Sequence, residues 1–350
     1  MNNHLVIMAG GVGSRFWPMS TEANPKQFID VLGVGKSLLQ LTMDRFSDIC
    51  PPENVWVVTN EKYVAKVKEQ LPQVPAENIL SEPCRRNTAP CICYVSWRIK
   101  KKDPKANIVV TPSDHIVTDV MEFRRVIKSA LKTTGESDAI ITLGMKPTRP
   151  ETGYGYIQAD LSASTARNKE LFVVDSFREK PDLETAKQYI RQNNFFWNAG
   201  IFIWNVSTIV NAFRMYAPTV NRIFENIEDV YGTPAEQERI NAVYPECESI
   251  SVDYAIMEKA EEIYVIPSDF GWSDLGTWGS LLQQTPHDVN GNGSIGKDIR
   301  MIDSHDCIVH ATDCKQVVVQ GLDGYIVAEK DGTLLICKLS EEQRIASFHD

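Results

Sequence analysis

Short apolar runs rich in β-branched residues alternate with amphipathic stretches, and this constrains the fold more than any other feature of the sequence. Residues 5–9, 55–59, 108–111 and 140–143 are such runs, and each reads as a strand buried on both faces. Between them, Leu39, Met43, Phe46 and Cys50 recur at the spacing of one helix face, and residues 88–102 and 122–134 are further helix candidates. Strands this apolar need cover on both faces, which the intervening helices can supply. The expected fold class is therefore α/β: a Rossmann-like, mostly parallel sheet flanked by helices. In such sheets ligands sit outside the carboxyl ends of strands, so the loops that follow strands are where chemistry is sought.

The same texture continues to about residue 260, with strands expected at 156–159, 171–177 and 199–204 and helices at 183–193 and 206–216. It changes at 287–296, where Asn290, Gly291, Asn292, Gly293 and Ser294 read as a turn-rich linker. Beyond it, runs at 307–309, 316–320, 325–328 and 333–337 are strand-like and separated by Asp and Gly turns. Two domains are expected: 1–286 carrying the chemistry, and 287–350 forming a β-rich extension. The extension is small for an independent fold, so it is expected to pack on the main domain or on a second subunit.

Composition narrows the partners. The 350 residues hold 36 Lys and Arg against 46 Asp and Glu, a net charge of −10, which argues against nucleic-acid binding. An anionic small molecule remains compatible, because a local basic cluster overrides the average at close range. The N-terminal apolar run is too short for a signal peptide and lacks a basic flank, and no run approaches membrane-spanning length, so a cytoplasmic protein with no membrane partner is expected. The eight cysteines are scattered and contain no C-x-x-C pair, which fits reduced thiols in that compartment. The sequons at Asn205 and Asn292 are then chance matches.

The first strand runs into Gly10, Gly11 and Gly13, with Arg15, Pro18 and Ser20 following and Pro25, Lys26, Gln27 and Phe28 close behind. Glycines at a strand-to-loop junction let backbone N–H groups approach an anion, and Arg15 and Lys26 add positive charge. Neither the G-x-x-x-x-G-K-[ST] phosphate loop nor the third glycine of G-x-G-x-x-G is present, which disfavours an NAD-dependent dehydrogenase. Asn87 and Thr88 read as the cap of a helix, with Glu82, Arg85 and Arg86 surplus to that task. Asp114 lies just past a buried strand, where a carboxylate suits Mg²⁺ or caps a turn. His115 is expected to support it through a hydrogen bond. Asp274 is bracketed by glycines and tryptophans, as in a rigid loop that fixes one carboxylate or makes a turn. Gly153 and Gly155 leave backbone open to a flat ring. Glu179, Lys180 and Asn198 offer a carboxylate, an ammonium and an amide, though each alone also suits an ordinary surface or loop.

Taken together, G-G-x-G-x-R-x-x-P-x-S followed by P-K-Q-F resembles the signature of the sugar-nucleotide pyrophosphorylases, and the Lys-Gln-Phe variant resembles the mannose-1-phosphate guanylyltransferases in particular. The resemblance covers roughly residues 5–283, with Ala199 and Cys91 as minor departures. It implies a nucleotidyltransferase domain whose C-terminal extension is a short left-handed β-helix that contributes dimer contacts. It also implies that Gly10, Gly11, Gly13, Arg15, Lys26, Glu82, Asn87, Thr88, Pro112 and Asp114 bind the nucleotide. Gly153, Glu179, Lys180 and Asn198 would bind the sugar phosphate, and Asp114 and Asp274 would hold Mg²⁺. Arg15, Lys26, Asp114 and Asp274 are the implied catalytic set. The implied reaction joins GTP to mannose 1-phosphate, giving GDP-mannose and pyrophosphate. Because the sequence stops at Asp350, the isomerase domain fused in some members is expected to be absent. The alternatives are a different nucleotide or sugar 1-phosphate, or a non-catalytic regulatory homologue that binds without turnover.

Overall fold

The computed structural model describes residues 2–165 and 168–348. The chain forms two compact units, one comprising Met1–Gly10, Arg45–Pro112 and Val117–Trp272, the other Gly11–Asp44, Ser113–Ile116 and Ser273–Asp350. This division does not follow the expected boundary at residue 287. The glycine-rich loop, Asp114 and Asp274 belong to the same unit as the tail.

The first unit is built on nine strands: β1 (Asn3–Ala9), β2 (Val55–Asn60), β3 (Ile79–Glu82), β4 (Asn107–Pro112), β5 (Ile140–Met145), β6 (Gly155–Ser164), β7 (Phe172–Glu179), β8 (Phe195–Asn205) and β9 (Ile263–Ser268). They lie in one sheet, in the order β3-β2-β1-β4-β8-β5-β9-β7-β6. The β1–β2, β1–β4, β2–β3 and β5–β9 pairs are parallel. The pairings of β8 with β4 and β5, of β7 with β9 and of β6 with β7 and β8 are antiparallel. The class is α/β as expected, but the sheet is mixed beyond β4. Burial does not encode direction: β8 buries Phe195, Phe196, Trp197 and Ile201 through Trp204, a run that reads the same way up or down.

Helix α1 (Thr88–Lys102) begins where the Asn87 side chain accepts the Thr88 N–H at 2.9 Å, and it ends on Lys100, Lys101 and Lys102, whose charges suit the C-terminal end of the helix dipole. Ala89 through Ile99 are all buried, so this helix lies inside the unit and not on its surface. Its Trp97 indole donates to Asn221 Oδ1 at 3.0 Å, which satisfies a polar atom that burial would otherwise penalise. Helix α2 (Val120–Gly135) is amphipathic and capped by Asp119, which accepts the Glu122 N–H.

The second unit has a separate core. Phe16, Met19, Ile29 and Leu38 pack with Leu275, Trp278 and Leu281, and with Ile295, Ile308, Ile326, Leu335 and Ile345. Its strands stack as rungs. β10 (Gly293–Gly296), β12 (Ile308–Ala311) and β14 (Tyr325–Lys330) are parallel in register, β11 (Ile299–Ile302) is parallel to β13 (Val317–Gln320), and β15 (Thr333–Lys338) closes the larger sheet antiparallel to β14. The segment expected as a linker is therefore the first rung, with Asp288 accepting the N–H groups of Asn290 and Asn292 to shape the turn before it. No helix among the described residues is long and apolar enough to cross a membrane.

Candidate active site

The second unit holds a cleft of about 320 Å³ lined by Gly13, Ser14, Arg15, Phe16, Lys26, Asp114, His115, Asp274, Leu275 and Gly276. Five of these residues, Gly13, Arg15, Lys26, Asp114 and Asp274, are expected site residues, drawn from widely separated stretches of sequence. The centre of the arrangement is Lys26, only 3% exposed. Its ammonium lies 2.8 Å from Asp114 Oδ2, 2.8 Å from the Asp274 carbonyl oxygen and 3.0 Å from the Leu275 carbonyl oxygen. An ammonium has three N–H donors, and three acceptors meet it here. The Asp114 carboxylate and the main chain at Asp274 thus meet at one cation.

Gly13 makes that possible. Its φ of +69° lies in the left-handed region, and a Cβ there would come 2.5 Å from the Lys26 Cβ. Carbonyls of the loop are taken up on the Lys26 side: Gly11 O accepts from Gln27 Nε2 at 2.9 Å, Val12 O from the Lys26 N–H at 3.1 Å, and Gly13 O from the Ser20 hydroxyl. Gly276 is constrained in the same way, since a Cβ there would sit 2.7 Å from Asp274 Oδ2. Its N–H donates to Asp274 Oδ1 at 2.9 Å and orients that carboxylate.

The Asp114 side chain is 31% exposed. Burial works against its charge, but the Lys26 ammonium and His115 prevail and hold its pKa below the usual carboxylate range, so it is ionised. His115 Nε2 is 3.8 Å from Asp114 Oδ1, an ion-pair distance too long for the hydrogen bond expected of it. Arg15 reaches back to the Gly276 carbonyl at 3.4 Å, a weak contact that leaves the guanidinium facing the cleft. Among the described residues no three or more His, Cys, Asp or Glu side chains cluster as a metal cage. Two hard carboxylates beside a phosphate-sized cleft nonetheless fit Mg²⁺, which takes one or two protein carboxylates and fills its remaining positions with phosphate oxygens and water.

The remaining predicted residues belong to the first unit. Pro112 ends the first unit's fourth strand and Gly10 directly follows its first, and a Cβ on Gly10 would lie 3.4 Å from Glu82 Oε2. Glu82 is buried, and its Oε1 accepts from the Tyr244 hydroxyl. Thr88 Oγ1 accepts the Val252 N–H at 2.8 Å, and Arg86 donates to the Pro245 carbonyl at 2.6 Å. Glu82, Arg86 and Thr88 are therefore braced by residues 244–252, while the Asn87 side chain caps α1.

The predicted sugar-phosphate set clusters around β7 and β8. Gly155 faces Glu179 across the β6–β7 pair, and a Cβ there would meet Glu179 Oε2 at 2.6 Å, so this glycine makes room for the carboxylate. Glu179 takes Lys180 Nζ at 2.6 Å, and Lys180 is held at φ +47°, a strained setting for a residue with a side chain. Gly153 donates its N–H to Glu151 Oε1 at 3.0 Å, so that N–H is occupied within its own turn. Asn198 donates through Nδ2 to Asp253 Oδ1 at 3.0 Å. Sequence reasoning passed over Asp253 and Tyr244. The signal for Asp253 was a single acid inside the otherwise apolar Val-Asp-Tyr-Ala-Ile-Met run.

Residues 4–291 match the nucleotidyl transferase family. The chain is 32% identical over 358 residues to a mannose-1-phosphate guanylyltransferase of Escherichia coli (strain K12), covering 99% of this chain and 74% of that protein. It is 34% identical over 335 residues to the xanthan biosynthesis protein XanB of Xanthomonas campestris pv. campestris, covering 95% and 69%. A solved structure described as mannose-1-phosphate geranyltransferase from Thermus thermophilus superposes with a TM-score of 0.87 at 30% identity, covering 99% of this chain and 98% of that one. A glycine loop, a buried lysine and two aspartates gathered in one cleft, together with these matches, make this chain a member of the nucleotidyl transferase family.

Proposed function

We propose that this nucleotidyltransferase makes GDP-mannose and pyrophosphate from GTP and α-D-mannose 1-phosphate. The observation that carries the reading is the convergence of Asp114 and Asp274 on Lys26, in a cleft that Arg15 also lines. The choice of mannose and guanine rests on the relatives' names and on the Lys-Gln-Phe signature.

In the proposed reaction an oxygen of the sugar's phosphate attacks the α-phosphorus of the nucleotide. The new O–P bond forms as the bond from the α-phosphorus to the bridging oxygen breaks, and pyrophosphate leaves with that electron pair. The attacking phosphate is already ionised, so no side chain needs to remove a proton, and catalysis reduces to positioning and charge neutralisation. Mg²⁺ held by Asp114 and Asp274 would supply charge neutralisation at the phosphates. The chain's own part is to bind and orient. The loop at Gly11 and Gly13 receives the triphosphate, and Arg15 steadies the departing pyrophosphate. Lys26 keeps both aspartates in place and adds positive charge beneath the phosphates. Glu82, Asn87, Thr88 and Pro112 serve the nucleotide, Lys180 meets the attacking phosphate, and Glu179 and Asn198 read the sugar hydroxyls.

Two further parts of the reading are proposals of the same kind. The enzyme works in the cytoplasm, supported by eight unpaired thiols, and it acts as a homodimer, supported by Leu334 and Ile336 standing exposed on the edge strand of the second unit's larger sheet.

The test is pyrophosphate release with mannose 1-phosphate and Mg²⁺, using GTP, ATP, UTP and dTTP in turn, and then glucose 1-phosphate and fucose 1-phosphate with the best nucleotide. GTP with mannose 1-phosphate is expected to give the highest kcat/KM. Asp114→Asn should lower kcat by roughly 10²–10³-fold while the melting temperature holds, because the amide oxygen still accepts from Lys26. Nucleotide binding without release from any pair would point to a regulatory homologue and overturn the reading.

A further inference from the structure

We infer that Asp253 is a positioning residue for the sugar half of the reaction, holding the Asn198 amide so that one N–H remains to meet a hydroxyl of the sugar phosphate. The inference rests on the sugar-phosphate role proposed above for Asn198 and Glu179.

The geometry at Asn198 leaves its amide one orientation. Oδ1 accepts the Gly200 N–H at 3.1 Å and lies 3.2 Å from the Thr142 hydroxyl, while Nδ2 donates to Asp253 Oδ1 at 3.0 Å. Turning the amide over would set its NH₂ against the Gly200 N–H and its oxygen against the Asp253 carboxylate, two repulsions in place of two hydrogen bonds. With the oxygen engaged and one N–H on Asp253, the amide has one donor left. Without Asp253 only the contacts at Oδ1 orient that donor, and nothing opposes its rotation from the Nδ2 side.

Asp253 is itself held firmly. It opens a π-helical turn, Asp253–Met257, a rare form that recurs at functional sites. The segment leading to it is fastened to the start of α1, with the Ala89 N–H donating to Ile250 O at 3.1 Å and the Val252 N–H to Thr88 Oγ1 at 2.8 Å. Burial and the neighbouring Glu179 carboxylate push the Asp253 pKa up to about 6. Two acids beside one directed amide donor suit a ligand whose groups both donate and accept, which describes the hydroxyl face of a sugar.

Initial rates of pyrophosphate release by the purified full-length protein test this, with mannose 1-phosphate and GTP varied separately. Asp253→Leu keeps the branched shape and removes the acceptor. Its KM for mannose 1-phosphate should rise by roughly ten-fold or more while its KM for GTP stays within about two-fold, as expected when a directed hydrogen bond is lost. Asp253→Asn should remain within about three-fold of wild type, because its amide oxygen accepts the same hydrogen. In an Asn198→Ala background, Asp253→Leu should add less than about two-fold, since the residue acts through Asn198. If the Leu variant does not fold, Asp253→Ala carries the same expectation. The inference is overturned by a Leu variant with a wild-type KM for the sugar phosphate, by equal rises in both KM values, by an Asn variant as impaired as Leu, or by effects independent of Asn198. A wild type that releases pyrophosphate from no substrate pair is a different signature: it removes the functional reading, and this inference with it.

Discussion

Glu82 is 7% exposed, and its carboxylate takes hydrogen bonds from the Tyr244 hydroxyl and the Cys91 thiol. Burial pushes its pKa up to about 7, and the two hydrogen bonds only partly oppose the shift. The native state therefore holds this proton more tightly than the unfolded chain does. Below about pH 4.5 both states are protonated and nothing is lost. As pH rises through the window up to about 7 the unfolded chain releases its proton first, so stability falls, and the full penalty is present above that window. Glu82→Gln keeps an oxygen acceptor for Tyr244 and removes the penalty. The variant should match wild type below pH 4.5 and exceed it above pH 7.5 by roughly 3 kcal/mol, measured by urea unfolding across pH. A constant difference at all pH values would show that the charge is not responsible. Lys26 shows what single residues conceal in sequence. Its charge and its place after the glycine loop were legible, but its three acceptors belong to residues 114, 274 and 275, and no local pattern could show that it fastens both aspartates.

At the scale of elements, the turn carrying Asp274 is anchored by the helix that follows it, Trp278–Gln284. Thr277 and Ser280 form a reciprocal capping box: the Thr277 side chain accepts the Ser280 N–H at 3.2 Å, and the Ser280 hydroxyl accepts the Thr277 N–H at 3.1 Å. Thr277→Ala should lower stability by about 1 kcal/mol, the usual loss for an N-cap, and should reduce kcat more than it changes either KM, because the helix start fixes the Asp274 carboxylate and not the substrates. Unfolding midpoints and steady-state kinetics check both. Elements of this kind were readable wherever the code is local. Buried strands announced themselves by composition, and α1 by its Asn87 cap and helical period. Strand direction was not readable, because β8 carries the same apolar run whether it pairs parallel or antiparallel. The short β3 and the rungs β10 and β11 were not among the expected strands; β3 holds two apolar residues and β10 one, too few to mark a strand by composition.

At the scale of the whole chain, the tail and the glycine loop share one core, which a reading by linear stretches could not foresee. Phe16, Met19, Ile29, Leu38 and Trp278 lose partners if the chain is cut after residue 286, since Ile295, Ile308, Ile326, Leu335 and Ile345 go with the cut. Each such side chain gains about 1.5–3 kcal/mol from full burial, and a folded protein's net margin is only about 5–15 kcal/mol, so partial loss at several positions removes the unit's stability. The first unit has its own core around α1 and the nine-stranded sheet and is not undercut in this way. A chain truncated at residue 286 should therefore retain strand and helix signal by circular dichroism while releasing no pyrophosphate. Hydrogen exchange should find amides of residues 14–44 open and those of β1 and β4 protected, because only the former rest on the deleted rungs. If the tail were a separate extension beginning at 287, the truncated enzyme would keep its catalytic rate and the amides after Gly13 would stay protected. Lys26 makes the two outcomes easy to tell apart, since a lysine buried by that core cannot hold Asp114 and Asp274 together once the core is gone.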